Sequence, residues 1–428
     1  MLWISLLAFA AFLFIGSDAR AAGGPNVINS PDSLIRAWHM SMELDGSGNP
    51  VVSYFQHEIG ENLKLLHCND PNCAGGDDSV TSPDTAGEVG EYTSLALDGA
   101  GNPVVSYYDR TNNTLKVMHC NDPDCAGGDE SITSPDPGSS GAFTSLELDA
   151  AGNPVVSYFD NNNLKVLHCN DPNCAGGDES ITSPGVGGNF TSLELDAAGN
   201  PVVSSGGSAV MLLHCNDPDC AGGDESITSP DTPCQCAGHS LALDGSGNPV
   251  VSYMSYLTGE LKVLRCDDPN CAGGGDTVTP QDVGTNVQLE SSLQLDGSGN
   301  PMVSYFGSDD SDLRILHCND PQCTGGDESI EVPDTDIGVG HPSLVLDAAG
   351  NPIVIYHNQA DHGLKLLHCG NPNCAEPVGG VAALPDADRV AVASSATSGI
   401  GAERLAIFAL AAMALLSVGA LAWYAKRR

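Results

Sequence analysis

Cysteine and histidine are the residues whose types and spacing most invite chemistry here. Fourteen of the 16 cysteines form seven C-x4-C pairs: Cys68/Cys73, Cys120/Cys125, Cys169/Cys174, Cys215/Cys220, Cys266/Cys271, Cys318/Cys323 and Cys369/Cys374. A histidine precedes six of the pairs (His67, His119, His168, His214, His317, His368), and Arg265 takes that place in the fifth. Thiolate and imidazole suit zinc, whereas paired thiols in an exported chain suit disulfides. Neighbouring residues of a strand point to opposite faces, so His and Cys do not readily converge on one ion. Arg265 also replaces His without loss of its cysteine pair. The spacing therefore predicts seven local disulfides and assigns no residue to a metal. Each bridge removes roughly 2 kcal/mol of unfolded-chain entropy in the loop-closure picture. Gly-Gly and Pro leave few packing contacts at these turns, so the bridges are expected to pin them. Cys234 and Cys236 form an additional C-x-C, bridged to each other or cross-linked nearby.

Aspartate recurs as regularly. L-x-L-D-x-x-G-N-P places Asp45, Asp98, Asp149, Asp196, Asp244, Asp296 and Asp347 in one column. Alternating oxygen side chains, as in Asp45-Gly-Ser-Gly-Asn49, partly resemble a calcium loop, but the bidentate Glu that completes one is missing. Asp capping a turn, with Gly at positive φ and Pro entering the next strand, is the favoured reading. Calcium is the alternative, and no other cofactor is expected. A tyrosine column (Tyr54, Tyr107, Tyr158, Tyr253, Tyr305, Tyr356) is expected in the core. A cation column (Lys64, Lys116, Lys165, Lys262, Arg314, Lys365) is expected to pair with carboxylates, with an anion-binding ring as the alternative.

No catalytic constellation emerges from these columns. Arg36, Arg110, Arg265 and Arg314 are scattered through different strand positions, so a sialidase-like arginine cluster is not formed. Catalysis usually breaks internal symmetry, because one site needs several different groups. The repeat departs most in its fourth copy, where Ser204-Ser205-Gly206-Gly207-Ser208 replaces Ser-Tyr-aromatic. Ser204, Ser205, Cys234, Cys236 and His239 therefore mark the sector in which a site is first sought. A shortened loop with a lost aromatic is the plainer explanation.

The elements that position these residues follow from the repeat itself. The Asp column recurs at spacings of 47 to 53 residues. Four strand-like stretches fit each copy; in the second they are Thr93–Asp98, Pro103–Tyr108, Thr114–Cys120 and Ser131–Ser134. Four strands per repeat of about 50 residues is the blade of a β-propeller. The last copy lacks its fourth strand, yet Val27-Ile28-Asn29-Ser30-Pro31-Asp32 precedes the first and matches Ile132-Thr133-Ser134-Pro135-Asp136. The expected fold is all-β: a seven-bladed propeller of four-stranded blades, closed by that N-terminal strand. The LxLDxxGNPxVSYYD unit resembles repeats of secreted bacterial propeller proteins and is loosely similar to NHL and neuraminidase-repeat propellers.

Residues 1–22 read as a signal peptide: an apolar run, then Ala19-Arg20-Ala21. Residues 23–375 form the propeller, and 376–402 an Ala/Gly/Ser/Pro-rich linker. Residues 403–428 read as an anchor whose uncharged stretch 405–425 spans about 31 Å as a helix. Lys426-Arg427-Arg428 then stays cytoplasmic by the positive-inside rule. This tail resembles the C-terminal anchors of bacterial surface proteins, although Leu384-Pro385-Asp386-Ala387-Asp388 departs from LPxTG. A formal charge of −40 with only 15 basic residues excludes a nucleic-acid partner. The expected function is that of a membrane-anchored extracellular scaffold binding a glycan, protein or cell-wall component. The alternatives are a hydrolase or lyase with its site in the propeller funnel, and a coat protein stabilised by divalent cations.

Overall fold

A computed structural model describes residues 24–375, apart from 34, 35, 58, 59, 186, 284–286, 309, 336–339, 360 and 361. The expected signal peptide, linker and anchor lie outside the described residues. Among the described residues no helix is long and apolar enough to cross a membrane. They form seven four-stranded antiparallel sheets, each following chain order except one. The exception is the last blade: Val27–Asp32 pairs with Gly363–His368 as its outer strand, in the register Val27↔His368 and Ile28↔Leu367. The innermost strand of each blade packs against that of the next, and Ser343–Leu346 of the seventh packs against Arg36–Leu44 of the first. The described residues form an all-β, seven-bladed propeller closed by its N-terminal strand.

The alternation within a repeat explains the packing. Each second strand, such as Pro103–Asp109, lies between two neighbouring blades and is almost wholly buried, its polar Ser106 and Asp109 included. The seams carry the core. One cluster joins Met42, Val52 and Tyr54 of the first blade to Val345, Ile353 and Ile355 of the seventh. All six tyrosines of the column are fully buried there.

The disulfides belong to the same seams. Bridges join Cys68 to Cys73, Cys120 to Cys125, Cys169 to Cys174, Cys215 to Cys220, Cys266 to Cys271, Cys318 to Cys323 and Cys369 to Cys374. The bridges join turns whose Gly residues are exposed, as expected, but the sulfurs themselves are buried. Cys266 and Cys271 pack with Tyr253 and Leu264, and Cys318 and Cys323 with Tyr305 and Leu316. Cys271 is 4% exposed and Cys323 1%. The Gly and Pro residues of these turns stay outside while the sulfurs face inward. A second feature is absent from the C-x4-C spacing. Cys73, Cys125, Cys174, Cys220, Cys271, Cys323 and Cys374 all take a left-handed backbone, with φ between 47° and 55°. The reason is a tight turn: Cys271 donates its N–H to the Asp268 carbonyl at 3.0 Å, and Cys323 to that of Asp320 at 3.1 Å. Gln281 Nε2 also donates to the Cys323 carbonyl at 2.8 Å, tying that turn to the neighbouring blade.

Strand limits follow the sequence with one systematic difference. In the second blade the inner strand runs from Val89 to Leu97, not from Thr93. Tyr92 takes a left-handed conformation (φ 54°) and shifts the register against the next strand between Glu91 and Ser94. Such a bulge breaks the period-2 signal, so the residues before it do not read as strand.

Candidate functional site

The aspartate column sits in the turn between the first two strands. Asp45 Oδ1 accepts the N–H groups of Ser47 and Asn49, both at 2.8 Å; its Oδ2 accepts Asn49 Nδ2 at 3.2 Å. Gly48 completes the turn at φ +83°, a conformation that an L side chain strains. The same bonds recur at Asp98, Asp149, Asp196, Asp244, Asp296 and Asp347. Histidine supplies a further contact: His67 Nε2 lies 3.2 Å from Asp45 Oδ2, and its Nδ1 lies 2.9 Å from Asp124 in the next blade. Arg265 does likewise, through Asp244 and the Pro321 carbonyl. Both carboxylate oxygens are thus engaged by protein donors, an arrangement that serves turn capping. Burial pushes these carboxyls up, but the turn bonds and His outweigh it and hold Asp45, Asp98, Asp149, Asp196, Asp296 and Asp347 below the usual range.

The tyrosine and cation columns meet at the outer part of the seams. Tyr107 donates its hydroxyl to Asp84 of the preceding blade at 2.7 Å, and Lys116 Nζ reaches the same carboxylate at 2.8 Å and Asp109 at 3.1 Å. Tyr158, Asp136 and Lys165 repeat this clamp, as do Tyr253, Asp231 and Lys262, and Tyr305, Asp282 and Arg314. Lys365 Nζ donates to Ser30 Oγ at 2.8 Å. Lys64 makes no ion pair with a described residue. Four of the six cations are thus paired one seam at a time, not gathered into an anion-binding ring.

The seam between the third and fourth blades lacks every member of this clamp. Ser205 stands for Tyr, Gly185 for Asp and Met211 for Lys, leaving a cleft of about 540 Å³ between the third and fourth blades. Backbone fills part of the vacated room: a Cβ on Gly188 would meet Ser205 Oγ at 2.6 Å. Cys234 and Cys236 are bonded to each other, with Cα atoms 5.2 Å apart. The Cys236 backbone pairs with Gly207 in both directions, at 2.8 and 3.1 Å. His239 is buried against Tyr253, and burial pushes its imidazole down to about 3, so it is neutral at physiological pH. Ser204 Oγ and both His239 ring nitrogens are buried without a hydrogen-bond partner. The sector is a repacked seam in which no nucleophile faces a base.

A different column gathers chemically varied groups. Six residues before each aspartate stand His39, Tyr92, Phe143, Phe190, Gly238, Glu290 and His341, all lining one mouth of the central channel except His341, which precedes its strand and adjoins the mouth. His39, Tyr92, Phe143 and Phe190 stand at the bulge itself, each with a left-handed backbone (φ 52–54°). Ring centroids run 4.9 Å from His341 to His39, 4.2 Å to Tyr92, 4.3 Å to Phe143 and 4.5 Å to Phe190. The arc spans five consecutive blades. Beside it, Trp38 stacks on His57 at 4.1 Å and lies 6.0 Å from His341. Trp38, Tyr256, Glu290 and His341 border a largely apolar basin of about 450 Å³, with Tyr256 half exposed. Glu290 and His341 form a close ion pair. Burial pushes Glu290 up, but the charge and bond of His341 outweigh it and hold the carboxyl low; the same pairing raises His341 against its burial. His39 is pushed down to about 3, first by burial and then by His341.

Farther along the same strands, two residues before the aspartates, Glu43, Glu147 and Glu194 face the channel. Four residues of strand separate Glu43 from His39, about 13 Å. Water reaches these carboxyls inside the channel, yet protein surrounds them. Burial raises Glu43 to about 7, and burial together with the charge of Glu43 does the same to Glu194. Glu147 is also raised, first by burial and then by both neighbouring carboxyls.

No protein-family model matches the sequence. No curated protein matches it either. The fold does have solved counterparts. An ulvan lyase of a polysaccharide lyase family superposes with a TM-score of 0.53 at 12% identity, covering 81% of this chain and 94% of its own. The N-terminal part of BBS1, in complex with ARL6, gives 0.51 at 11% identity over 82% and 97%. YCF48 from Cyanidioschyzon merolae gives 0.50 at 9% identity over 81% and 98%. At such identities the likeness is one of architecture, and the chain is similar to these propellers in fold alone.

Proposed function

We propose that this chain is a membrane-anchored extracellular propeller that binds a neutral or cationic glycan at the ring-lined channel mouth. The observation that carries the reading is the arc His341–His39–Tyr92–Phe143–Phe190 beside the Trp38 and Tyr256 basin. Aromatic faces stack on the C–H faces of sugars, and Glu290 supplies a polar edge in the same mouth. A formal charge of −40 repels anionic polymers at long range, which selects against sulfated or uronate chains. Residues 1–22 as export signal and 403–428 as anchor place this mouth outside the cell in the same proposal.

A panel of neutral, amino and acidic oligosaccharides tests it. The reading expects a hit among the neutral or amino sugars, lost in Trp38→Ala or Tyr92→Ala while the melting temperature stays within a few degrees. Hits confined to acidic chains, or equal binding by both variants, contradict it. The Glu290–His341 pair favours a hydrolase or lyase in the same mouth as the second reading. Turnover of the bound sugar, abolished in Glu290→Gln, distinguishes that reading from binding alone.

A further inference from the structure

We propose that His39, Glu290 and His341 hold a divalent first-row transition-metal ion of the zinc class at the channel mouth. One ligand atom of each residue lies within 4.8 Å of the other two. Tetrahedral zinc with bonds of about 2.1 Å needs ligand atoms about 3.4 Å apart. Adjustments of about an ångström in side-chain position therefore convert the cluster into three corners of such a site. Two imidazoles and a carboxylate are ligands that zinc and its neighbours accept, and calcium, which takes six or more oxygens, does not suit them.

The Glu290–His341 ion pair leaves part of the cluster unexplained. His39 Nδ1 is shielded from water and has no hydrogen-bond partner. An orphaned buried nitrogen costs free energy unless something completes it. Its ring is held between Tyr92, at 4.2 Å, and His341, at 4.9 Å. Glu290 and His341 keep side-chain exposures of 27% and 20%, so a fourth position opens to the funnel for water or ligand. The residues come from the sixth, seventh and first blades. A bound ion would bridge both seams that flank the last blade, including the seam where the ring closes. This assignment concerns a metal and stands whether or not the mouth takes a glycan.

Titrating the full-length chain with Co2+ and Zn2+ tests the proposal. A single Co2+ per chain should give the intense visible bands of a four-coordinate site, displaced stoichiometrically by Zn2+ and untouched by excess Ca2+. His39→Ala, His341→Ala and the isosteric Glu290→Gln should each weaken Zn2+ by about tenfold or more, the loss that even an outer-shell partner can produce. Zinc should also raise the melting temperature of the wild type but not of the variants, because the ion binds only the folded ring. Wild-type protein with no such bands, or with zinc affinity matched by the His39→Ala/His341→Ala double variant, overturns it. Since the wild-type spectrum alone can refute the site, a variant that fails to fold leaves the proposal still at risk.

Discussion

Met42 of the first blade donates its backbone N–H to Ser343 Oγ of the seventh at 3.1 Å, across the seam where the two ends of the repeat array meet. The same bond runs from Leu95 to Ser41, Leu146 to Ser94, Leu193 to Ser145, Leu241 to Ser192, Leu293 to Ser240 and Leu344 to Ser292. A circle of serine hydroxyls, one per seam, thus surrounds the channel. Ring closure rests on this circle as well as on the Val27–Asp32 strand. Replacing Ser343 by Ala leaves the Met42 N–H unpaired and should cost about 1 kcal/mol, as should Ser94→Ala at an ordinary seam. Urea unfolding of the two variants measures both; a free Ser343→Ala substitution would mean that the closing seam is looser than the rest.

The outer clamps should cost more to break. Asp84→Ala removes the acceptor of the buried Tyr107 hydroxyl and one of the two carboxylates facing Lys116. A loss of about 2–4 kcal/mol is expected from leaving those groups incompletely paired. Restoring only the aromatic in the fourth blade, Ser205→Tyr, should also destabilise, by about 1–3 kcal/mol. The Gly188 backbone lies against this side chain: a Cβ added to Gly188 would sit 2.6 Å from Ser205 Oγ. A stabilised Ser205→Tyr protein would show that the cleft between the third and fourth blades can take back its ring.

Two sets of carboxyls should oppose each other in the pH dependence of stability. The turn aspartates have lowered values when folded, so their contribution is complete above the unfolded value of about 3.9 and is lost as pH falls through the folded ones. Glu43 and Glu194 have raised values when folded, so the native state binds their protons more tightly. Stability from these two is present below the unfolded value of about 4.3 and is lost as pH climbs toward 7. Glu43→Gln/Glu194→Gln should therefore raise stability at pH 8, by on the order of 1 kcal/mol after allowing for channel water, with no gain near pH 4. Thermal melts across that range check the sign; a variant that is less stable at pH 8 contradicts the account.

Much of this molecule can be read from its repeats. The columns of Asp, Tyr and Cys each do one job six or seven times, the cations do theirs four times, and periodicity shows such jobs plainly. What periodicity conceals is where a turn faces: the glycines around Cys271 and Cys323 suggest bare loops, and only the neighbouring blade reveals that both sulfurs are core. The invariant serine four residues before each Asp is equally regular, yet a serine in an inner strand announces no partner until the next blade supplies the N–H. The candidate site hides for the opposite reason. Its members His39, Tyr92, Phe143, Phe190, Glu290 and His341 occupy one column that changes residue from copy to copy. Variation within an otherwise regular column is the available signal. The break at Ser205 is more conspicuous, but there three coordinated losses, with Gly185 and Met211, amount to a repacked seam.

Hydrogen exchange of the full chain with and without the sugar identified by the panel tests the central claim most directly. Binding at the mouth predicts slowed exchange in the inner-strand segments around Trp38–Met40, Tyr92–Thr93, Phe143–Thr144 and Phe190–Thr191, with the glycine-lined cleft near Gly185–Asn189 and Gly206–Met211 unchanged. Protection centred on that cleft, or spread over the outer strands, would contradict it.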